Sequence, residues 1–167
     1  MKSSKNEMAA QLKTLELISL HLIDRNETIA VAESVTAGLL TRSFSLAENA
    51  TYFLQGGIIV YNLGQKARHL KVNPIHGERT NCVSAEIAIQ MALAVADQFC
   101  SEWGLAITGY AAPVPELKIE SCFAHYAITN AGRVVHSNIL ETKLLGQARV
   151  QQYFVDQLLK VFKDQLS

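Results

Sequence analysis

The sequence lacks the even number of cysteines typical of a disulfide-stabilised protein, and it lacks a CxxC motif. Its three cysteines, Cys82, Cys100 and Cys122, are odd in number and form no CxxC pair, which indicates reduced thiols in a reducing compartment. We expect Cys100 and Cys122 to lie in or near the core. The sequence also lacks any stretch approaching the roughly 20 apolar residues that span a bilayer, and its polar beginning shows no secretion signal. The expected location is therefore the cytoplasm, with no membrane partner.

A surplus of positive charge is absent as well. The 15 basic side chains balance the 15 acidic ones and form no run, so the electrostatic attraction that sustains nucleic-acid binding is missing. The five histidines show no HxxxH or HxH spacing, which gives a metal site little support. Neither a Rossmann fingerprint nor a P-loop occurs, which argues against dinucleotide oxidoreductases and ATPases. We therefore expect no nucleic-acid partner, no metal and no other cofactor.

What the sequence does contain is enough apolar material for a globular core. Hydrophobic residues make up 49% of the chain and charged residues 18%, without the charge excess of disordered proteins. The 167 residues are the usual size of one domain, and no repeat, low-complexity tract or linker divides them. The prediction is a single domain over residues 1–167, folded throughout except for residues 1–6.

Hydrophobic periodicity predicts strands that alternate with helices. Short apolar runs predict five strands, at residues 28–33, 52–61, 104–108, 122–129 and 134–140. Helical spacing predicts helices up to Asp24–Asn26, from Thr36, around Gln65–Leu70, after a Ser84 cap, and at the C-terminus. Residues 130–133 predict a hairpin turn, and Gly56-Gly57 would permit a bulge. This order predicts an α/β fold, a three-layer α/β/α sandwich with a mixed sheet.

Three segments place small residues and reactive side chains at predicted strand ends. In AESVTAG, residues 32–38, the hydroxyl of Ser34 lies between a strand and a helix, where unpaired backbone N–H groups can bind an anion or an oxyanion. Spacing alone favours a simple helix-capping role for a hydroxyl at this position. The position becomes a site only if other segments converge on it.

The other two segments are equally ambiguous on their own. In YNLGQK, residues 61–66, Tyr61 and Lys66 could face one cleft, but a lysine acts as a base only where burial or positive charge lowers its pKa. A solvated surface lysine is the ordinary alternative. TGYAAP, residues 108–113, also follows a strand end and otherwise serves as a plain connection.

Together the three segments resemble the C-terminal domain of the CinA family, the nicotinamide mononucleotide deamidases. The family patterns run approximately AESxTGG, a strand ending in YSNxxK, and TGxAGP, in the same order and with compatible intervals. The resemblance covers about residues 8–160. It implies hydrolysis of the carboxamide of nicotinamide mononucleotide to a carboxylate and ammonia without a metal, in pyridine nucleotide salvage. With the high apolar fraction, it also predicts a homo-oligomer.

The resemblance implies a role for each matching residue. Ser34 would be the nucleophile, Lys66 the base that activates it, and Tyr61 a hydroxyl in the proton network. Backbone N–H groups at the start of the following helix, or near Thr108-Gly109, would hold the oxyanion. The expected substrate-binding residues are Glu33, Thr36, Gly38, Thr108, Gly109 and Arg149.

The chain departs from the family pattern in the loops expected to hold the nucleotide. The second glycine of the first motif is Ala37, and AGP has become Ala111-Ala112-Pro113. Glu120 lies near an expected glycine, where a carboxylate would repel a phosphate. If Arg149 matches the helix arginine of the family, residues 143–145 replace the family's GDR, and a phosphate-binding guanidinium is missing.

Two interpretations therefore stay open. One is an active amidohydrolase that acts on the mononucleotide or on an altered amide. The other is a CinA-like paralogue that binds a ligand or a partner without turnover. The preserved Ser34 and Lys66 favour the enzyme, whereas the altered loops favour the paralogue.

Overall fold

The computed structural model describes the backbone of residues 2–166 and the side chains of residue 6 and residues 8–166. Its helices are α1 (Lys2–Asp24), α2 (Leu39–Ser45), α3 (Leu63–Leu70), α4 (Pro74–Arg79), α5 (Ala85–Phe99) and α6 (Gln147–Gln165). Its strands are β1 (Ile29–Glu33), β2 (Leu54–Ile59), β3 (Trp103–Tyr110), β4 (Cys122–Asn130) and β5 (Arg133–Thr142). Single 3₁₀ turns occur at Ala50–Tyr52 and Pro115–Leu117.

The strands form one mixed sheet in the order β2-β1-β3-β4-β5. β1 is parallel to β2 and β3, whereas β3–β4 and β4–β5 are antiparallel pairs. The chain runs from β1 to β2 on one side and then returns to β3 on the other. Because β1, β2 and β3 are parallel, the loops that follow them meet at one edge, and a crevice opens where the strand order reverses.

Hydrophobic side chains form a separate cluster on each face of the sheet. On β1, Ile29 and Val31 belong to one cluster, and Ala30 and Ala32 to the other, because side chains alternate along a strand. The first cluster includes buried side chains of α1, α2 and α6, and the second those of α3 and α5. Helices therefore cover both faces, which confirms the α/β/α sandwich.

Local turn chemistry shapes the ends of the sheet as predicted. β4 and β5 are joined through Ala131 and Gly132 at φ of 47° and 74°, the left-handed pair of a two-residue hairpin turn. The register of β2 against β1 skips Gln55, which places a bulge next to Gly56.

Among residues 2–166, no helix combines the length and the apolar content that crossing a membrane requires.

Two helices start at other residues than predicted. α1 begins at Lys2, so residues 2–6 are helical, because no glycine or proline interrupts the segment. Residue 1 lies outside the described residues. α2 begins at Leu39 rather than at Thr36, because Ala37 and Gly38 have φ of 50° and 97° and delay the helix.

Two features on either side of α5 also differ from expectation. The sequence analysis missed α4, although Asn73 caps it and Pro74 occupies its first position, both of which are helix-start signals. Cys100, expected in or near the core, is exposed, because it ends α5 in a left-handed conformation with φ of 51°. Cys122 is buried, as predicted.

We predict that Gly104→Ala destabilises the fold by about 2–3 kcal/mol. A Cβ at Gly104 would overlap the backbone oxygen of Ala92 on α5, so β3 and α5 would have to separate. The matched control is Gly64→Ala in α3, where the nearest atom to a new Cβ is 3.5 Å away and the change should be neutral or stabilising by less than about 1 kcal/mol. Urea denaturation measures both, and equal free energies of unfolding would contradict this packing.

Candidate active site

The junction between β1 and α2 is built around the carboxylate of Glu33, which is fully buried at the end of β1. One oxygen accepts from Thr36 Oγ1 at 2.6 Å and from the N–H groups of Gly38 and Leu40 at 3.0 Å. The other accepts from Thr41 N and Oγ1 at 2.7 and 2.6 Å. Glu33 therefore caps α2 from the preceding strand and fixes the turn between them.

The cap leaves two backbone donors open beside Ser34. Glu33 accepts from the N–H groups of Gly38, Leu40 and Thr41. Leu39 N donates to Thr36 O at 2.9 Å, and Ser34 N donates to Ile107 O at 3.1 Å. Within residues 2–166, the N–H groups of Val35 and Thr36 have no acceptor. The start of α2 is thus closed to an oxyanion, whereas the turn just after Ser34 holds two N–H groups without an acceptor among the described residues.

Lys66 meets Ser34 from the neighbouring connection, at the end of β2. It lies on α3, whose start is capped by the Asn62 side chain, which accepts from Gln65 N at 3.0 Å. Only 2% of Lys66 is exposed, and its Nζ donates to Ser34 Oγ at 2.9 Å. Burial lowers the pKa of Lys66 below the ordinary lysine value, against a smaller opposing effect of the charge of Cys82.

The third connection brings β3 to the same place. Thr108 is buried and its Oγ1 donates to Cys82 O at 2.8 Å. Tyr110, at the end of β3, accepts a 2.8 Å hydrogen bond at its hydroxyl from Asn81 Nδ2. Ser34 and Lys66 line a cleft of about 500 Å³ at the carboxyl ends of the parallel strands.

The structure separates the expected site residues into four groups. Those that line the cleft are Ser34, Tyr61, Lys66, Thr108 and Gly109. Thr36 and Gly38 border a neighbouring depression, and Glu33 is enclosed beneath the turn. Arg149 is exposed on α6 and lines neither hollow. Tyr61 is 63% exposed, and its hydroxyl has no hydrogen-bond partner among the described residues.

Sequence reasoning missed the segment from Glu78 to Cys82 as part of the cleft. Asn81 and Cys82 have φ of 49° and 60°, which turns the chain sharply towards Lys66 before α5 begins. The Cys82 thiol is buried, and burial raises its pKa. Asn81, an amide residue that tolerates positive φ, was the one available turn signal. No cluster of three or more metal-ligating His, Cys, Asp or Glu side chains occurs in the described part of the chain.

A sequence model of the CinA C-terminal domain matches residues 11–166. This chain belongs to the CinA C-terminal domain family. The match covers nearly all of the described residues and includes all three connections around the cleft. It agrees with the resemblance that the motifs at residues 32–38, 61–66 and 108–113 carry.

Curated relatives of the chain are much longer proteins. A CinA-like protein of Thermosynechococcus vestitus is 42% identical over 92 residues, which are 55% of this chain and 22% of that protein. A CinA-like protein of Acaryochloris marina is 46% identical over 103 residues, 60% of this chain and 24% of that protein. The chain thus matches about a quarter of the length of these CinA-like proteins.

Solved structures show the same architecture. A competence or damage-inducible protein from Enterobacter asburiae superposes with a TM-score of 0.84 at 24% identity, covering 94% of this chain and 98% of that one. A competence/damage inducible protein from Agrobacterium tumefaciens gives 0.82 at 18% identity, with coverages of 95% and 96%. At these identities the likeness establishes the CinA fold and nothing finer.

We predict that Glu33→Gln lowers the free energy of unfolding by about 3 kcal/mol. The amide keeps the size of the side chain, but its –NH₂ group would face donors where the carboxylate oxygen accepts hydrogen bonds. The matched control is Glu48→Gln, because Glu48 is exposed and its loss should change stability by less than about 0.5 kcal/mol. Urea denaturation compares the two, and equal stability would show that Glu33 does not hold the turn.

Proposed function

We propose that this CinA-family chain is an amidohydrolase that converts a primary carboxamide to a carboxylate and ammonia. Ser34 is the nucleophile and Lys66 its general base. The observation that carries the proposal is the 2.9 Å contact between the buried Lys66 amine and the Ser34 hydroxyl, at the floor of the cleft. The family resemblance points to nicotinamide mononucleotide and related amides as the substrate class.

The lowered pKa of Lys66 favours the neutral amine, which can act as a base. A neutral amine presents its lone pair to the Ser34 proton across the same 2.9 Å. In the first half-reaction, Ser34 Oγ attacks the amide carbon and its proton passes to Lys66 Nζ. The carbon–nitrogen bond then breaks, Lys66 gives that proton to the leaving nitrogen, and ammonia departs from an ester on Ser34.

Water completes the second half-reaction. A water molecule attacks the ester carbon and loses a proton to Lys66 Nζ. The bond from carbon to Ser34 Oγ breaks, and Lys66 returns the proton to that oxygen. The acid product gives its remaining proton to solvent, so Ser34 and Lys66 end in their starting state.

The negative charge that develops on the substrate oxygen in both halves needs donors. The free N–H groups of Val35 and Thr36 are adjacent to Ser34 in the turn, and backbone donors fixed in place stabilise an oxyanion without reorganising. Tyr61 lines the same cleft with a free hydroxyl. We assign it to the proton network around the leaving nitrogen.

A second serine cluster fits catalysis less well. His76 Nε2 lies 3.0 Å from Ser84 Oγ and 3.4 Å from Glu86 Oε2. A catalytic triad needs the acid on the opposite ring nitrogen from the serine, whereas here one nitrogen meets both. Ser84 Oγ also accepts from Ile87 N at 3.2 Å, so it serves as the cap of α5.

The alternative is a CinA-like paralogue that binds a ligand or partner without turnover, which the altered loops favour. A buried lysine against a serine has no evident use in simple binding, so the enzyme is the better proposal. A homo-oligomer and a cytoplasmic location remain predictions that accompany it.

We predict that Ser34→Ala and Lys66→Ala each reduce ammonia release by at least about 10³-fold, with the double variant little worse than either. The nucleophile and its base act as one unit, so their losses do not add. Ammonia release is measured with nicotinamide mononucleotide, nicotinamide and related carboxamides. The controls are Ser45→Ala and Lys13→Ala, whose side chains are exposed elsewhere. Wild-type rates in both site variants would overturn the assignment, and no ammonia from any carboxamide would favour the paralogue.

The rate should rise with pH as Lys66 loses its proton, because only the neutral amine can take the serine proton. Since burial lowers the pKa of Lys66, this rise should lie below the ordinary lysine value of 10.5. Between the two values Lys66 binds more protons in the unfolded chain than in the folded one, so the contribution of Lys66 to stability should increase with pH across that window. Rate and thermal unfolding measured from neutral pH to 10.5 test both, and Lys66→Met should abolish the stability increase.

A further inference from the structure

The charges around the cleft differ from those that a phosphorylated substrate needs. Among the described side chains, the charged groups that line it are Lys66 and Glu78. Lys66 is buried at the floor and engaged with Ser34. Arg42 lines the neighbouring depression instead, and Arg149 lines neither hollow. Among the described side chains, no guanidinium and no ammonium other than Lys66 therefore lines the cleft.

Helix ends supply some positive potential but not enough. The starts of α3 and α6 reach the cleft through Asn62, Leu63 and Gln147, and each helix N-terminus is equivalent to about half an elementary charge. Together they amount to about one positive charge, whereas Glu78 adds to the lining a carboxylate that has no ion-pair or hydrogen-bond partner among the described residues. About one positive charge does not balance the two negative charges of a phosphate monoester.

The same lining suits a positively charged ring with hydroxyl groups attached. Glu78 supplies the opposite charge, and the aromatic side chains of Tyr61 and Tyr110 line the cleft; aromatic rings are groups to which flat cations bind. Neutral polar side chains of Asn62 and Gln147 stand at its border and match hydroxyl groups. The volume of about 500 Å³ admits a nucleoside or a nucleotide, so charge rather than size decides between them.

We infer that the substrate is a phosphate-free pyridinium carboxamide, at the level of a nucleoside rather than a nucleotide. The inference rests on the proposed amidohydrolase function and narrows its substrate class. The reaction is the one written above, with the pyridinium ring held near Glu78 and the carboxamide directed to Ser34.

The test compares nicotinamide riboside with nicotinamide mononucleotide on the purified full chain. These probes share the pyridinium carboxamide and differ by one phosphate. We expect kcat/KM for ammonia release to be at least about tenfold higher for the riboside, with a preference that shrinks as salt screens the charges. Equal or higher kcat/KM for the mononucleotide would overturn the inference while leaving the amidohydrolase function intact.

Calorimetric binding of the same two probes keeps the inference testable if no ammonia is released. Absence of turnover with every carboxamide defeats the proposed function, but tighter binding of the riboside still supports the charge argument. Tighter binding of the mononucleotide, or no binding of either probe, overturns it.

Two substitutions should change the preference in a defined direction. Glu78→Gln removes the carboxylate and should bring kcat/KM for the two probes within about threefold of each other. Gln147→Arg adds a guanidinium at the border of the cleft and should raise kcat/KM for the mononucleotide by about tenfold. The matched control is Glu141→Gln on β5, exposed and outside the cleft, which should leave the ratio unchanged. An unchanged ratio in both cleft variants would contradict the assigned charges.

Discussion

The buried carboxylate of Glu33 is the group on which the site depends. It ends β1 and accepts five hydrogen bonds from the turn and from α2, so residues 34–41 have little freedom to rearrange. A carboxylate buried this completely is tolerated because both of its oxygens accept well-placed hydrogen bonds. Ser34 is thereby held at the edge of the sheet, with its hydroxyl free for Lys66 and the next N–H groups free for a substrate.

Lys66 shows the opposite arrangement, a buried ionisable group for which the charge of Cys82 compensates only part of the effect of burial. Among the described residues no carboxylate lies within ion-pair distance of its amine, and the chemical group that meets it is the Ser34 hydroxyl. An ammonium in this position costs folding free energy that a leucine or methionine would not. Such a cost is typical of active sites, where function is retained at the expense of stability. Burial of Lys66 is thus better explained by chemistry than by packing.

Sequence patterns predicted the strands and the sheet well because β1, β3 and β4 are apolar runs of simple period. They predicted the candidate site only through motifs, since periodicity cannot tell which loops meet; the parallel pairing of β1 with β2 and β3 decides that. Cys100 and α4 were misjudged for a local reason, a left-handed helix end and a six-residue helix. The capping role of Glu33 was missed because its five hydrogen bonds form only where a turn delays the start of α2.

The departures from the family pattern do not all lie in the same part of the structure. Their effects on catalysis and on ligand recognition can therefore be considered separately. Ala37 occupies a left-handed position with φ of 50°, which costs an alanine about 1 kcal/mol, yet the Glu33 cap still places Ser34 against Lys66. By contrast, Glu120, Lys143 and Leu145 are exposed and do not line the cleft, so these departures disturb no buried contact. Loop substitutions of this kind leave the contact between Ser34 and Lys66 in place, so altered loops alone are weak evidence for the non-catalytic interpretation.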